Sequence, residues 1–190
     1  KNSGAFFTFD TALENEVNYR IAISFVSIEN AKENLAAENL NLNFQEYMNN
    51  TKSVWDQHLN KIQIKTPNKD RRVQFYTHFY HSLVHPNIVS DVNGEYMGAD
   101  FKKYKITDNR DHYSSFSVWD TYRTQGQLVA MLFPKESSDM MESLVNFAEQ
   151  AGGYGRWILA NIETGIMQGD PTPILIANSY AFGGKNFDHE

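Results

Sequence analysis

The hydrophobic pattern of this chain changes period at Ser27, and that change does most to limit what it can fold into. Before it, Glu16 to Val26 alternates Val17, Tyr19, Ile21, Ile23 and Phe25 with Asn18, Arg20, Ala22 and Ser24. That is the period of a strand with one buried face. Ala5 to Phe9 reads as a second, aromatic strand, and two strands alone are marginal without partners. After Ser27 the apolar residues recur at helical spacing. Ser27 is a candidate N-cap for a helix running through Ala36 and Glu38, with Glu29 in its first turn. A stronger helix spans roughly 43–62 and carries Phe44, Tyr47, Met48, Thr51, Val54, Trp55, His58, Leu59 and Ile62. Thr66-Pro67-Asn68 breaks it. A third helix starts near Asn68, carries Val73, Tyr76, Phe79, Tyr80, Leu83 and Val84, and stops at Pro86.

The middle of the chain is less regular. Asp91 to Tyr96 contains an Asn-Gly pair, which favours a type I′ hairpin turn. Residues 98–116 read as a long ordered loop, a kind of segment that is often functional. A helix is expected from Val118 to Phe133, ended by Pro134. Another is expected from a Ser137 or Ser138 cap to Gly152-Gly153, and a last one from Pro171 or Thr172 to Phe182. The sum is mainly α: a short β piece, then helices in pairs with long loops at one end. Such pairing suggests a helical toroid or bundle, joined to the tail of a preceding domain.

Composition narrows the function classes. Over 190 residues, 41% hydrophobic and 14% aromatic content is ample for a buried core, which excludes whole-chain disorder. No apolar run is long enough for a membrane span. The 17 Lys and Arg are outnumbered by 23 Asp and Glu. The richest basic cluster, Asn68 to Arg72, is short and interrupted, so the charge pattern argues against a nucleic-acid partner. Without cysteine there is no disulfide framework, no thiolate zinc site and no Cys nucleophile. The first residues show no basic, apolar and cleavage-site pattern of a signal peptide.

Four motifs carry possible chemistry. His78, His81 and His85 share a helical face by spacing and could hold a metal, although amphipathic packing is the commoner use of such residues. Counting from Asp91, the Gly and Glu positions of an EF-hand fall on Tyr96 and Lys102, which rejects that calcium loop. Ser117 to Arg123 places Trp119, Asp120 and Arg123 at a loop-to-helix junction. Read blandly, Asp120 is a first-turn acid with an Arg partner; read functionally, a carboxylate and an aromatic face receive a sugar. Gly152 to Asp170 is Gly-rich and carries Trp157, Glu163 and Asp170 without phosphate-loop spacing. Asp120 with Glu163, or Asp100 with Glu163, could in principle pair for glycosidic cleavage.

Taken together, FYTHFYHSLVHPN (75–87), SDVNGEYMGAD (90–100), FSVWDTYR (116–123) and WILANIETGIMQGD (157–170) resemble glycoside hydrolase family 92, the calcium-dependent inverting α-mannosidases. SFVSIENAKENLAAE (24–38) is similar to the strand and first helix that leave that family's N-terminal sandwich. The resemblance covers nearly the whole chain. It implies that residues 1–26 end a β-sandwich domain, 27–67 form a helical linker, and 68–190 begin an incomplete (α/α)6 toroid, making this chain a segment of a longer enzyme. It implies an exo-acting, calcium-assisted α-mannosidase that acts on mannose-containing glycans. The catalytic acid and base, and most calcium ligands, would lie beyond Glu190, so neither a catalytic nor a metal-binding residue is assigned within the chain. Trp119 and Asp120 match the family's sugar-contacting pair, and Arg123, Asp100 and Glu163 match recurrent motif positions. Tyr154-Gly155 replaces the family's usual Leu-Pro, and Gln127 stands where a Pro is common, which bears on linkage preference. The rival expectation is a non-catalytic carbohydrate-binding or structural helical domain. Family habits suggest a periplasmic or secreted protein, though no residue here shows it.

Overall fold

The computed structural model describes residues 4–10, 12 and 15–189. Helix α1 (Ile28–Glu38) begins at the expected cap, where the Ser27 side chain accepts the Asn30 N–H at 3.0 Å. Helix α2 (Phe44–Leu59) opens with a capping box in which Asn43 and Glu46 each accept the other's backbone N–H. Helix α3 (Lys69–His81) is capped by Asn68 and ends earlier than its apolar spacing suggests. The Ser82 hydroxyl turns back to the Phe79 carbonyl at 2.7 Å, and the residue preceding Pro86 is biased away from helix.

Residues 98–116 are not one loop. Four short strands lie between α3 and the next helix: β1 (Asn87–Ile88), β2 (Glu95–Met97), β3 (Lys103–Lys105) and β4 (Tyr113–Ser114). They pair antiparallel as β1 with β4 and β2 with β3. The turn entering β2 also differs from type I′. Gly94 donates to the Asp91 carbonyl at 2.8 Å and Asp91 to the Glu95 carbonyl at 2.8 Å, which makes a three-residue loop. Only Gly94, at φ +82°, is left-handed, while Asn93 uses its side chain to accept the Glu95 N–H. A Cβ at Gly94 would sit 2.9 Å from the Ile106 carbonyl oxygen, so the position requires glycine.

The helix expected over 118–133 is two. A four-residue turn, α4 (Val118–Thr121), and α5 (Gln125–Leu132) are separated by Thr124 at φ +59°. Tertiary anchors pull the two halves apart. The Trp119 N–H is held by the Arg156 carbonyl, while Gln125 reaches the Ser82 carbonyl at 2.9 Å. Pro134 starts α6 (Pro134–Ala151) as its first residue, so Ser137 and Ser138 are buried helix residues instead of caps. Gly152, left-handed, closes α6 as expected. The hairpin β5 (Ile158–Leu159) and β6 (Ile162–Glu163) follows, then α7 (Thr172–Phe182).

Helices α5, α6 and α7 pack on one another, and α6 meets β4. Leu144 of α6 sits at the centre with Tyr113, Phe116, Val118, Phe147, Ile158 and Leu175. A second cluster joins Phe79 of α3 to Val129 of α5 and to Phe133 just after it, with Leu59 and Ile62 against it.

The two strands expected before Ser27 are a correction. Neither Ala5 to Phe9 nor Glu16 to Val26 forms a strand, and the face expected to be buried is the exposed one: Tyr19, Ile21 and Ile23 are 70–79% exposed. A strand needs a neighbouring ladder, and the described residues supply none here. The opposite face is tied down instead. Arg20 donates to the Leu42 carbonyl at 2.7 Å and to the Asn39 side chain, and lies over the Tyr47 ring. Ser24 donates to buried Asp91 at 2.7 Å, and Asn34 of α1 holds the Ile23 carbonyl.

Candidate functional site

The segment Phe116 to Asp120 lies against the stretch 155–170, through Ile158 N–H to the Phe116 carbonyl at 2.9 Å and Trp119 N–H to the Arg156 carbonyl at 3.2 Å. This backbone seam brings three of the sequence-selected residues together. Trp119 is 43% exposed and donates its indole N–H to the Gln168 carbonyl at 3.0 Å. Asp120 is exposed, and its Oδ2 accepts the indole N–H of Trp157 at 3.1 Å and the Ser117 hydroxyl. Glu163 stands behind Trp157. Its Oε2 accepts the backbone N–H of Arg156 at 2.7 Å and of Trp157 at 3.2 Å, and its Oε1 that of Gly165 at 3.1 Å. The result is an exposed indole face beside a carboxylate whose orientation is held by a second indole.

Arg123 and Asp100 are placed differently. Arg123 donates to the Tyr122 hydroxyl at 2.7 Å and lies over that ring, so an Asp120–Arg123 ion pair does not occur among the described residues. Asp100 lies at the tip of the β2–β3 hairpin. Lys102, in an ion pair at 2.9 Å, is the main influence holding the Asp100 carboxyl below the usual range, and the Tyr104 hydroxyl also donates to it at 3.0 Å. The hairpin tip touches the 155–170 stretch through Asn161, which donates to the Gly98 carbonyl at 3.1 Å.

Trp157 is the residue that the sequence reading left out of the site. Its place in a Gly-rich stretch was the available signal. Its partnership with Asp120 spans 37 residues and has no local signature.

The oxygens of the candidate carboxyls, which calcium would need as ligands, already serve other partners. Glu163 is committed to three backbone amides and Asp100 to Lys102 and Tyr104, while Asp120 uses Oδ2 for both Trp157 and Ser117. Among the described residues, no three His, Asp or Glu side chains gather where they could hold an ion. Among the described residues, Asp100, Asp120 and Glu163 do not come together as a calcium-ligating group. The three histidines do not share a helical face either, because α3 ends at His81 and His85 lies beyond it.

Residues 30–190 match the glycosyl hydrolase family 92 catalytic domain. The chain belongs to glycosyl hydrolase family 92. Among solved structures it is similar to a family 92 α-mannosidase from Bacteroides thetaiotaomicron, at 26% identity and a TM-score of 0.80, over 87% of this chain and 22% of that one. That protein has also been solved in complex with mannoimidazole, with the same figures. A family 92 inverting mannosidase from Bacteroides thetaiotaomicron VPI-5482 shares the fold at 22% identity and a TM-score of 0.79, again over 87% and 22%. The chain thus spans 22% of the length of these family 92 structures. No curated protein matches it.

Proposed function

We propose that this family 92 chain is the sandwich-to-toroid portion of a longer, exo-acting α-mannosidase that hydrolyses α-mannosidic bonds in glycans with inversion and with the help of calcium. In this reading residues 1–26 belong to a β-sandwich whose remaining strands, in the longer protein, would supply the ladder that 5–9 and 16–26 lack here, 27–67 link the domains, and 68–190 begin an (α/α)6 toroid. Trp119 and Asp120 contact the sugar: the indole face takes the apolar side of the ring, and the carboxylate accepts hydrogen bonds from hydroxyls. Arg123, held over the Tyr122 ring, is a further substrate contact in this reading. The observation that carries the reading is the exposed Trp119–Asp120 pair, held by Gln168 and Trp157, within a chain of this family.

Inversion needs a carboxylic acid and a carboxylate base roughly 6.5–9.5 Å apart, with room for water between them. Glu163 is occupied by backbone amides and Asp100 by Lys102 and Tyr104, which supports a catalytic pair and calcium ligands drawn from outside this segment. The same occupancy favours one rival, a carbohydrate-binding piece with no turnover of its own.

Hydrolysis of an α-linked mannobiose, with and without a calcium chelator, by this chain and by a longer protein containing it separates the two. Chelator-sensitive release by the longer protein alone is expected. Release by this chain would give the chemistry to Asp100, Asp120 or Glu163. Silence from both would leave the binding reading.

Replacing Asp120 by Asn is expected to weaken methyl α-mannoside binding about tenfold, because a hydrogen bond to a charged acceptor is worth about 1–1.5 kcal/mol more than one to a neutral acceptor. Stability should change by less than about 1 kcal/mol, since the Asn oxygen can still accept the Trp157 N–H. Calorimetric titration and urea unfolding of the variant measure both, and equal losses would return Asp120 to a purely structural role.

A further inference from the structure

We infer that Glu163 is a positioning residue, which fixes the backbone at Trp157 so that the indole N–H meets and orients the Asp120 carboxylate. The inference rests on the reading above that Asp120 faces the sugar, and it gives Glu163 a role other than sugar contact.

Strands β5 and β6 have two residues each, too few to hold a loop by their ladder alone. Glu163 supplies what the ladder lacks. Its carboxyl gathers the N–H groups of Arg156, Trp157 and Gly165, on both sides of the hairpin. The other end of the Trp157 peptide is fixed too. Its carbonyl accepts the Thr164 N–H at 3.0 Å and the Thr164 hydroxyl at 2.9 Å. With its N–H and C=O both held, Trp157 has little freedom left in its main chain, and its indole reaches Asp120 at 3.1 Å.

The surroundings are built around that carboxyl. A Cβ on Gly155 would lie 2.8 Å from Glu163 Oε2 and 2.5 Å from Ile158 Cγ1, so the approach of Glu163 to the Arg156 amide depends on glycine. The Gly155 carbonyl in turn accepts the hydroxyl of fully buried Thr172 at the start of α7. The chain of contacts therefore runs from the packed helix α7 through the hairpin to the exposed carboxylate. Holding a binding group in one orientation before the ligand arrives lowers the ordering cost of binding.

The protein has three tryptophans, Trp55, Trp119 and Trp157, so indole N–H signals in a 15N-edited NMR spectrum can be assigned one by one. The Trp157 signal is expected downfield, as befits a bond to a carboxylate, and to move in Asp120→Asn. In Glu163→Gln it should move towards the position of a water-bonded indole, while Trp55 stays put. Affinity for methyl α-mannoside should fall about tenfold in Glu163→Gln, but less than about twofold when the same change is made in Trp157→Phe, because residues acting through one contact are non-additive.

An unmoved Trp157 signal in Glu163→Gln overturns the inference. So does an equal loss of affinity in the Trp157→Phe background, which would put Glu163 in contact with the sugar. If Glu163→Gln does not fold, Glu163→Asp keeps the charge and withdraws it from the amides, and the same shift is expected or the inference fails. A Trp157 signal that responds as described in a protein that does not bind the mannoside supports the positioning role and overturns the sugar reading instead.

Discussion

Asp91→Ala is expected to destabilise the protein by about 4 kcal/mol, among the largest losses from any single substitution outside the apolar core. Asp91 is 6% exposed, and both of its carboxyl oxygens are in use. Oδ2 accepts the Ser24 hydroxyl at 2.7 Å and the Asn30 amide at 2.8 Å, and Oδ1 accepts the Asn34 amide at 2.7 Å. Asn30 also donates to Glu95, which Lys103 pairs with from β3. One turn of chain thereby holds the segment before Ser27, helix α1 and the β2–β3 hairpin. Alanine would leave one hydrogen each of Ser24, Asn30 and Asn34 without its acceptor, at about 1–3 kcal/mol where the group stays buried, with partial relief from relaxation, water and the second partners of Asn30 and Asn34. Asp91→Asn keeps the shape but turns an amide towards amide donors, so about half the loss is expected. Urea unfolding of both variants, with Asn34→Ala and the double mutant, measures the loss and the coupling. A total below about 1 kcal/mol, or simple additivity with Asn34→Ala, would show that these contacts do not act as a unit.

The second large effect is acid sensitivity through His112. Its ring is buried and stacks on Tyr96 with centroids 3.7 Å apart, and burial alone pushes its pKa down from 6.5 to about 4. Asp111, Glu142, Arg110 and Lys105 line the cleft beside it, yet desolvation decides the direction. The unfolded chain binds this proton below about pH 6.5 and the folded chain only near pH 4. This contribution is therefore complete above pH 6.5, declines by about 1.4 kcal/mol per pH unit below it, and is lost by about pH 4. The expected cost over that window is about 3 kcal/mol. Urea unfolding between pH 7 and pH 5 checks the upper half, before most carboxyls titrate. His112→Phe keeps an aromatic ring on Tyr96 and should flatten that slope. An unchanged slope in the variant would move the effect to other groups.

Much of the helical framework was legible because its signals are local. Ser27, Asn43 and Asn68 each act as helix N-caps, the α6 terminus falls at Gly152, and α7 occupies its expected span. Local signals failed where a distant group competes with the helix. Gly126 only weakens a helix near Thr124; the break goes with the Arg156 and Ser82 carbonyls, which hold the two halves in different directions. The apolar alternation before Ser27 is a real period of two, but a period identifies a face without identifying its cover. The chain ties down the other face through Arg20 and Ser24 instead.

Local propensity and motif order, both written in the sequence, determined that this chain is mainly helical, where most helices begin and which short stretches carry the family 92 pattern. They also brought Trp119 and Asp120 forward, because an aromatic and an acid in adjacent positions need no fold to be neighbours. Only the tertiary structure decided that Trp157 meets Asp120, that Glu163 serves the hairpin, and that Asp91 joins three elements. The physical reason is one of range. Caps, periods and turns are settled by groups a few residues apart. A hydrogen bond between residues 37 or 61 positions apart forms only after packing has brought its donor and acceptor together.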